Sequence, residues 1–570
     1  MSRLQHRARP QLRSLWLVAA VCIAGAAGCG SEGSAGGPAA GFAQEQASQD
    51  AGAVGDTGAG GSASSSGGSS SSSGGSWGGW KPDAGPLDAG KDAYVPKEVE
   101  KDDPFGAPEG TDNFVYIPVS GADTVVKVSG TTLKVSLVEV GDKPAVIRAI
   151  PNQDGVAVLN AGSADVSVLR STETSDTVES VPILANCNQL DISPTGGHAV
   201  AWYDHGKAQK GDPTGSFQAV SVISLESGKQ ASVMVSVGFR PRDVQFDIGG
   251  NKAFIITNDG ISAIELAKAK AGAVAVPIKV SNHPVVNPAT VEVHVDPSGV
   301  WSVARLPGSV TLSVLNMASK AILDVTLPSQ PTDLDLAPDG SGALLVMPAT
   351  KHVGWVDLPG AATDTLAVKI ATIHWLQAGL ARITDDGKTA VLYTSVPGVE
   401  NAATLDLQSG VVKPVKLRKT VDYVVLPAGS RKAILVHKPA AGPSYNDDKV
   451  EAFVDDAEGY TVFDLDSGYT KLFVTPNAIG SIATSEKPSK AMMLLADPKG
   501  AKHTVDVVEL DTFLSQSIVL GSAPEFGRVL SKAGVVAVTQ QHPSGRISFI
   551  DLQTNKAKTV TGFELNGLVK

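Results

Sequence analysis

Histidine side chains recur at one position of a repeated pattern in this 570-residue chain. Each of five histidines lies at the boundary of a short apolar run, and a sixth, His283, lies between two repeats. The five are His205, His352, His437, His503 and His542. Because imidazole nitrogens ligate Cu, Zn and Fe, histidines directed at a common axis could form a metal site. They lack a short ligand spacing such as His-x-His, and loops tolerate histidine, so incidental loop positions are the alternative.

Basic residues mark a second candidate site. Arg240 and Arg242 flank Pro241, and Lys143 lies at the equivalent position of an earlier repeat. These three side chains could receive an anionic ligand, although charges at such positions are usually only solvated. We expect them to lie near the opening of a central channel.

Acidic residues fill one long segment, Lys438–Gly459. They offer the oxygen atoms that Ca²⁺ takes as ligands, but their spacing matches no calcium-loop motif. They are Asp447, Asp448, Glu451, Asp455, Asp456 and Glu458. A solvated acidic loop is the simpler interpretation. We therefore expect no cofactor, with calcium or a transition metal as the alternative.

The elements that must position these residues repeat along the chain. Nine turns containing Gly, Pro or Ser recur, mostly about 41 to 49 residues apart, from Gln153-Asp154-Gly155 to Ala533-Gly534. Each turn precedes a short apolar run of the kind that forms a buried β-strand. A later strand of the unit ends in an acidic residue followed by Leu. The acidic residues are Glu265, Asp357, Asp406, Asp464, Glu509 and Asp551, and we expect each to accept hydrogen bonds from the next turn.

Three stretches resemble the YVTN repeat of lactonase-like β-propellers. They are Val140 to Gly155 (VGDKPAVIRAIPNQDG), Val237 to Gly250 (VGFRPRDVQFDIGG) and Leu327 to Gly340 (LPSQPTDLDLAPDG). The resemblance implies an all-β fold, a β-propeller of about 8–10 four-stranded blades over residues 111–570. It implies no catalytic residue, because that repeat occurs in enzymes, binding proteins and surface proteins alike.

The number of blades and the closure of the ring are open at this stage. Ten units can be counted, more than the usual four to eight, so the chain forms one large ring, two smaller rings, or fewer true blades than units. The first unit begins at Phe114 without a first strand. We expect the segment Phe563 to Lys570 to supply that strand and close the ring.

The N-terminal residues predict export. Residues 1–28 combine four arginines with a short apolar stretch, as a signal peptide does, and Ala26-Ala27-Gly28-Cys29 resembles a bacterial lipobox. Cys29 is then the lipidation site; cleavage after Ala26 is the alternative. Gly30 favours transport to the outer membrane, facing the periplasm or the cell surface. Residues 29–110 are rich in Gly, Ser, Ala and Asp and predict a disordered tether.

Composition excludes some functions. The formal charge of −11 and the lack of a basic stripe argue against a nucleic-acid partner. Of three cysteines, one lies in the signal and one is Cys29, which leaves Cys187 as a small buried hydrophobe without a disulfide partner.

Two functional hypotheses follow. In antiparallel blades the loops joining strands two to three and four to one emerge on one face, and both long insertions, Asp204 to Phe217 and Lys438 to Gly459, belong to that class. The first hypothesis is a surface-tethered, non-catalytic propeller that presents this face to a protein or cell-envelope polymer. The alternative is an exported enzyme, hydrolase-like or metal-dependent, with its site at the channel mouth.

Overall fold

The computed structural model describes residues 105–358, 368–373, 377–440, 448–497, 500 and 502–563. Cys29 and the predicted signal peptide therefore lie outside the described residues, as do Asp447 and the tail after Phe563. The described residues contain forty strands, which form ten sheets, called here blades 1 to 10 in chain order. The predicted all-β propeller of repeated four-stranded blades is confirmed.

Blades 1 to 5 contain the first twenty strands. They are β1 (Glu109–Gly110), β2 (Phe114–Val119), β3 (Thr124–Ser129), β4 (Val135–Glu139), β5 (Pro144–Ala149), β6 (Gly155–Asn160), β7 (Asp165–Ser171), β8 (Asp176–Pro182), β9 (Gln189–Ile192), β10 (His198–Trp202), β11 (Ala219–Ser224), β12 (Ala231–Ser236), β13 (Asp243–Phe246), β14 (Lys252–Thr257), β15 (Gly260–Glu265), β16 (Ala273–Val274), β17 (Glu292–Val295), β18 (Trp301–Arg305), β19 (Thr311–Asn316) and β20 (Ile322–Thr326).

Blades 6 to 10 contain the remaining strands. They are β21 (Asp333–Leu336), β22 (Gly342–Met347), β23 (His352–Asp357), β24 (Val368–Thr372), β25 (Leu380–Ile383), β26 (Thr389–Tyr393), β27 (Asn401–Asp406), β28 (Val412–Lys416), β29 (Tyr423–Val425), β30 (Lys432–His437), β31 (Glu458–Asp464), β32 (Thr470–Thr475), β33 (Ile479–Ser485), β34 (Lys490–Leu495), β35 (His503–Glu509), β36 (Leu514–Leu520), β37 (Pro524–Leu530), β38 (Val535–Gln540), β39 (Arg546–Asp551) and β40 (Ala557–Thr561).

The helical elements in the described ranges are short. One α-helix, α1 (Lys449–Asp456), lies in the acidic insertion, and 3₁₀ turns cover Leu266–Lys268, Pro288–Thr290 and Pro348–Thr350. Among the described residues there is no helix with the length and apolarity needed to cross a membrane.

The core lies between neighbouring blades. The second strands are nearly fully buried, and β6 (GVAVLN) and β22 (GALLVM) are buried along their whole length. Side chains of a second strand point alternately to the two faces of the sheet. Thus Ala157 and Leu159 pack toward blade 3, whereas Val156 and Val158 pack toward blade 1. A strand in this environment must be apolar on both faces, which explains the continuous apolar runs in the sequence.

The ten blades form a single ring. First strands of neighbouring blades contact each other, as β5 contacts β9, β21 contacts β25 and β33 contacts β37, so the first strands lie innermost. Blade 10 packs on blade 1 through one apolar cluster that includes Val115, Leu530 and Phe563. Polar contacts reinforce this junction, because Lys532 pairs with the Asp112 carboxylate at 2.7 Å and its N–H donates to the Asp112 carbonyl oxygen at 3.0 Å. Two smaller rings are excluded.

The prediction that the C-terminal tail supplies the first strand of blade 1 is wrong. That place is taken by β1, whose residues Glu109 and Gly110 pair antiparallel with Tyr116 and Val115. A bridge from Phe105 to Val119 extends the pairing, so the propeller begins a few residues before the predicted boundary at 111. The chain therefore closes its ring with an N-terminal strand, and Phe563, the last described residue, adds a buried aromatic ring to the junction.

Blade 4 departs from the repeat. Its sheet contains only β13, β14 and β15, and the segment that follows, β16, instead pairs in parallel with β12 of blade 3. The chain then returns to blade 4, where Ile278 bridges Ile261. This segment connects the outer strands of blades 3 and 4, and we call it the crossover segment (residues 270–278).

Three aspartates that end third strands, Asp406, Asp464 and Asp551, accept hydrogen bonds from the next turn as expected, whereas Glu265 pairs with Lys268. Asp406 accepts from the N–H of Ser409 at 2.7 Å, and Asp551 accepts from the N–H of Thr554 at 2.7 Å. These backbone hydrogen bonds lower the pKa of both carboxyl groups, because they stabilise the ionised form. The repeated acidic residue thus fixes the turn into the fourth strand.

Candidate functional site

The loops that join strand two to three and blade to blade share one side of the ring, called here the upper face. This grouping follows from the antiparallel order of strands in every blade. All five predicted histidines lie in loops or strand ends on that face.

The structure does not bring the five histidines together. Each interacts within its own blade or the adjoining loops: the His503 Nδ1 accepts from the Asp497 N–H at 3.1 Å, and the His542 Nδ1 accepts from the Ser544 N–H at 3.2 Å. His352 has a buried Nδ1 without a hydrogen-bond partner in the described part of the chain. Over the described ranges, no group of three or more His, Cys, Asp or Glu residues is arranged to hold a metal ion. A crown of these histidines around a metal is therefore not formed.

His437 has a structural role. Its ring is buried, with Nδ1 2.8 Å from the Thr420 carbonyl oxygen and Nε2 2.8 Å from the Thr461 hydroxyl. The carbonyl can only accept, so Nδ1 carries the proton and Nε2 accepts from the hydroxyl. Burial lowers the pKa of His437 to about 4, so the ring is neutral at neutral pH.

Aromatic side chains gather on the upper face between blades 3 and 4. Phe217 ends the first long insertion and lies 5.9 Å from the Phe239 ring, 6.0 Å from Tyr203 and 5.5 Å from His205. Tyr203 is buried beneath them, whereas Phe239 is 41% exposed. The four rings form what we call the aromatic cluster, which offers one open ring face to solvent.

Arg240 is attached to this cluster. Its backbone N–H donates to the Phe217 carbonyl oxygen at 2.7 Å, and its guanidinium carbon lies 5.8 Å from the Phe239 ring centroid. The Arg240 Nε is buried without a hydrogen-bond partner among the described residues. A positively charged donor is thus held beside an exposed aromatic ring.

The turn that presents Arg240 is encoded locally. Arg240 has a left-handed backbone, φ 54°, and the preceding Gly238 leaves no space for a Cβ, which would overlap the Thr257 side chain. The N–H of Gly238 donates to the Ser262 hydroxyl at 3.1 Å, and that of Phe239 donates to Asp259 at 2.7 Å. The Gly-x-basic-Pro pattern in the sequence therefore specifies a rigid turn.

Lys143 occupies the equivalent turn between blades 1 and 2. It also has φ 54°, and the Gly141 N–H donates to the Ser167 hydroxyl at 3.2 Å. Lys143 is exposed and has no aromatic cluster beside it in the described contacts. The two turns are separated by two whole blades, so Lys143 and Arg240 do not form one site.

Arg242 is not an anion receptor of the kind predicted. Its Nη1 donates to the carbonyl oxygens of Ala289 and Val291, at 3.0 and 3.2 Å, so it connects blade 4 to blade 5. Burial lowers its pKa. Its guanidinium therefore serves the junction between these blades.

Similar bridges recur along the inner strands. The Gln245 side chain donates to the Val293 carbonyl at 3.0 Å and accepts from the Val295 N–H at 2.8 Å. Asp333 likewise accepts from the Ala381 N–H at 2.6 Å. Neighbouring first strands are not paired with each other, so polar side chains satisfy their backbone groups. Gln245 and Asp333 are therefore structural residues.

Asp335 is the exception among these inner-strand carboxylates. Its Oδ1 lies 3.4 Å from the Arg382 Nη1, but its Oδ2 is buried without a hydrogen-bond partner in the described residues. Burial, followed by the nearby Asp333, raises the pKa of Asp335 well above its ordinary value. A carboxyl group that holds its proton at elevated pH is a candidate general acid.

The acidic insertion is partly ordered as α1. Asp448 caps this helix by accepting from the Val450 N–H at 2.8 Å, and Glu451 pairs with Arg418. Lys419 donates from its Nζ to the Asp455 carbonyl oxygen at 3.0 Å. These interactions engage Asp448, Glu451 and the Asp455 backbone in holding the helix, and the described residues include no group of three or more acidic side chains placed to share a metal ion.

The sequence reasoning missed Phe217, Phe239 and Tyr203. Two signals were available: Phe239 directly precedes Arg240, and Phe217 ends the long insertion that was predicted to carry binding. The proximity of these three rings depends on how blades 3 and 4 pack, which no short sequence motif predicts. Cys187 is buried as predicted, and burial raises the pKa of its thiol to about 12.

No protein-family model and no curated protein sequence matches the chain. Solved structures with a similar fold include a eukaryotic initiation factor, at 12% identity and a TM-score of 0.48, covering 74% of this chain and 97% of that chain. Dihydro-heme d1 dehydrogenase NirN is 12% identical with a TM-score of 0.40, covering 65% and 76%. AztD from Citrobacter koseri is 11% identical with a TM-score of 0.34, covering 55% and 86%. These proteins differ in function, and the values are too low to carry a functional argument.

Proposed function

We propose that this protein is an exported, non-catalytic binding propeller that presents its upper face to a protein or cell-envelope polymer. In this proposal Cys29 is acylated, the residues between Cys29 and the propeller tether it to the outer membrane, and nucleic acid is not a partner. The YVTN-like repeats build the scaffold. The single observation that supports a binding role is the aromatic cluster with Arg240 on the upper face.

Aromatic and arginine side chains are enriched in the energetically important centres of binding sites. An open ring such as Phe239 loses little conformational entropy on binding, and Arg240 adds a directional charge-assisted donor. The rigid turn around Gly238 positions both before any partner arrives. Such preorganisation raises affinity, because less ordering remains to be done.

The proposal can be tested with the purified full chain and three envelope preparations: peptidoglycan, outer-membrane polysaccharide and outer-membrane protein. We expect one preparation to bind, and Phe239→Ala and Arg240→Gln each to weaken that binding more than tenfold. Lys143→Gln, in the equivalent turn, is the matched control and should bind normally. Binding that persists equally in all variants, or is absent for every preparation, would contradict this site assignment.

The tether is tested separately. Cys29→Ala should release the protein from the membrane fraction, because acylation on sulfur requires that cysteine. Normal membrane retention of Cys29→Ala would argue against lipid anchoring.

The exported-enzyme alternative is supported by one observation, the unpartnered Oδ2 of Asp335 and the raised pKa of its carboxyl group. If the protein cleaves the polymer that it binds, Asp335→Asn should abolish cleavage while leaving binding intact. Cleavage that survives Asp335→Asn, or an intact polymer after incubation with the wild-type chain, would remove this alternative.

A further inference from the structure

We propose that the site at Arg240 recognises a carboxylate-bearing polysaccharide, a uronic-acid chain whose carboxylate pairs with Arg240 while a sugar ring lies on Phe239. This inference rests on the proposed binding function and specifies the chemistry of the partner.

The Arg240 guanidinium is unsatisfied. Its Nε is buried without a hydrogen-bond partner in the described residues, as is the Arg242 Nε, but only Arg242 donates through Nη1 to carbonyl oxygens. A buried donor without an acceptor is unfavourable, and a guanidinium is best satisfied by a planar anion that accepts two hydrogen bonds. A carboxylate has that geometry.

Negative charge lies beside the site. The Asp259 carboxylate accepts from the Phe239 N–H at 2.7 Å. The chain as a whole carries a formal charge of −11. This negative charge would repel a densely charged phosphate or sulfate polymer more strongly than a chain with one monovalent carboxylate per sugar.

The apolar platform of the site is small. Phe239 is 41% exposed, and Phe217 lies 5.9 Å from it with the two rings tilted by 35°. The insertion beside them, residues 206–216, consists of Gly, Lys, Ala, Gln, Asp, Pro, Thr and Ser, without a large apolar side chain. A protein interface of ordinary size buries about 800 Å² per partner around several apolar anchors. One open ring in polar surroundings fits the apolar face of a single sugar better.

The same insertion carries additional basic charge. Lys207 and Lys210 are exposed next to His205, and the Lys207 Nζ donates to Gln189 at 2.9 Å. A chain of uronic acids would place further carboxylates along this insertion. The weak field of these lysines would aid association at low salt and be screened at high salt.

The test uses the full chain and two ligands that differ only in charge, oligogalacturonate and its fully methyl-esterified form, together with alginate oligomers as a second uronate. We expect one or both uronates to bind and the ester to bind at least tenfold more weakly. Arg240→Gln should reduce uronate binding at least tenfold without changing the melting temperature. Phe239→Ala should weaken uronate and ester alike, and Lys143→Gln should change neither.

Each outcome bears on the inference. Equal binding of acid and ester, no effect of Arg240→Gln, or no uronate binding would overturn the carboxylate assignment. If uronates do not bind but an envelope protein binds in an Arg240-dependent manner, the proposed binding function holds and only the polysaccharide inference fails. If Phe239→Ala and Arg240→Gln change no binding of any kind, both fail.

Discussion

Phe563 offers a direct test of how the ring closes. Its side chain is 2% exposed and contacts Phe105 edge to face, with ring centroids 5.3 Å apart. The ring also covers Gly545, a glycine with φ 72° whose position has no room for a Cβ because Phe563 fills it. It belongs to the apolar cluster that joins blade 10 to blade 1. Replacing this residue should therefore loosen the junction itself.

The magnitude follows from burial. Truncating a fully buried Phe to Ala destabilises proteins by about 3–5 kcal/mol. With an unfolding entropy of roughly 2.1 cal/mol/K per residue, a propeller of about 460 residues has roughly 1 kcal/mol/K in total, so the melting temperature should fall by about 3–5 °C.

The assay is thermal unfolding of Phe563→Ala, followed by circular dichroism, with sedimentation analysis for self-association. Leu514→Ala is the control, because Leu514 is 61% exposed and its loss should change stability by less than about 0.5 kcal/mol. Deletion of residues 563 to 570 should reproduce most of the loss seen for Phe563→Ala. An unchanged melting temperature for Phe563→Ala would refute the view that this ring secures the junction.

Three further predictions concern single positions. The pKa of His437 is lowered to about 4, so the unfolded state binds a proton at a higher pH than the folded state does. The free energy of unfolding should therefore fall by up to about 3 kcal/mol as the pH drops from about 6.5 to 4. In urea titrations, His437→Gln should flatten this pH dependence. The raised pKa of Asp335 has the opposite effect on the pH dependence of stability, because the folded state retains the proton of this carboxyl group. Stability should therefore fall as the pH rises above about 3.9, and Asp335→Asn should remove that part of the pH profile. Gly238→Ala should destabilise the folded protein by about 1–3 kcal/mol, because the added Cβ overlaps the Thr257 side chain. Gly197→Ala is the control: its Cβ would lie 3.8 Å from the nearest atom, so this variant should have the melting temperature of the wild type.

The regular part of the fold could be predicted because each strand meets the same environment in every blade. All nine turns found in the sequence lie between first and second strands, and aspartates that end third strands, such as Asp406, accept hydrogen bonds from the following turn. These features depend on neighbours a few residues away in the chain. They can therefore be predicted from short stretches of sequence, and the number of repeats agrees with the ten blades.

Features that depend on distant parts of the chain could not be predicted. β1 has only two residues, too few to give a strand pattern, yet it occupies the position assigned to the C-terminal tail. The crossover segment has an apolar sequence typical of an ordinary fourth strand, and its pairing with β12 depends on the spacing of two blades. Likewise, Arg240 and Arg242 flank one proline in the sequence, but only the packing of blade 5 makes Arg242 a bridge between blades.

The irregular blade and the candidate binding site lie at the same junction, and this has a physical consequence. Phe217 comes from an insertion of blade 3, whereas Phe239 and Arg240 come from the connection to blade 4, so their geometry depends on the distance between these two blades. The crossover segment fixes that distance at the outer edge, because the Ala275 N–H donates to the Ser236 carbonyl at 2.8 Å and Ile278 bridges Ile261. At the other junctions of described blades, apolar packing and inner-strand bridges hold the blades together without a shared outer strand. The extra backbone pairing restricts the motion of blades 3 and 4 relative to each other. A site divided between two blades needs this rigidity, because otherwise binding of a ligand would cost conformational entropy.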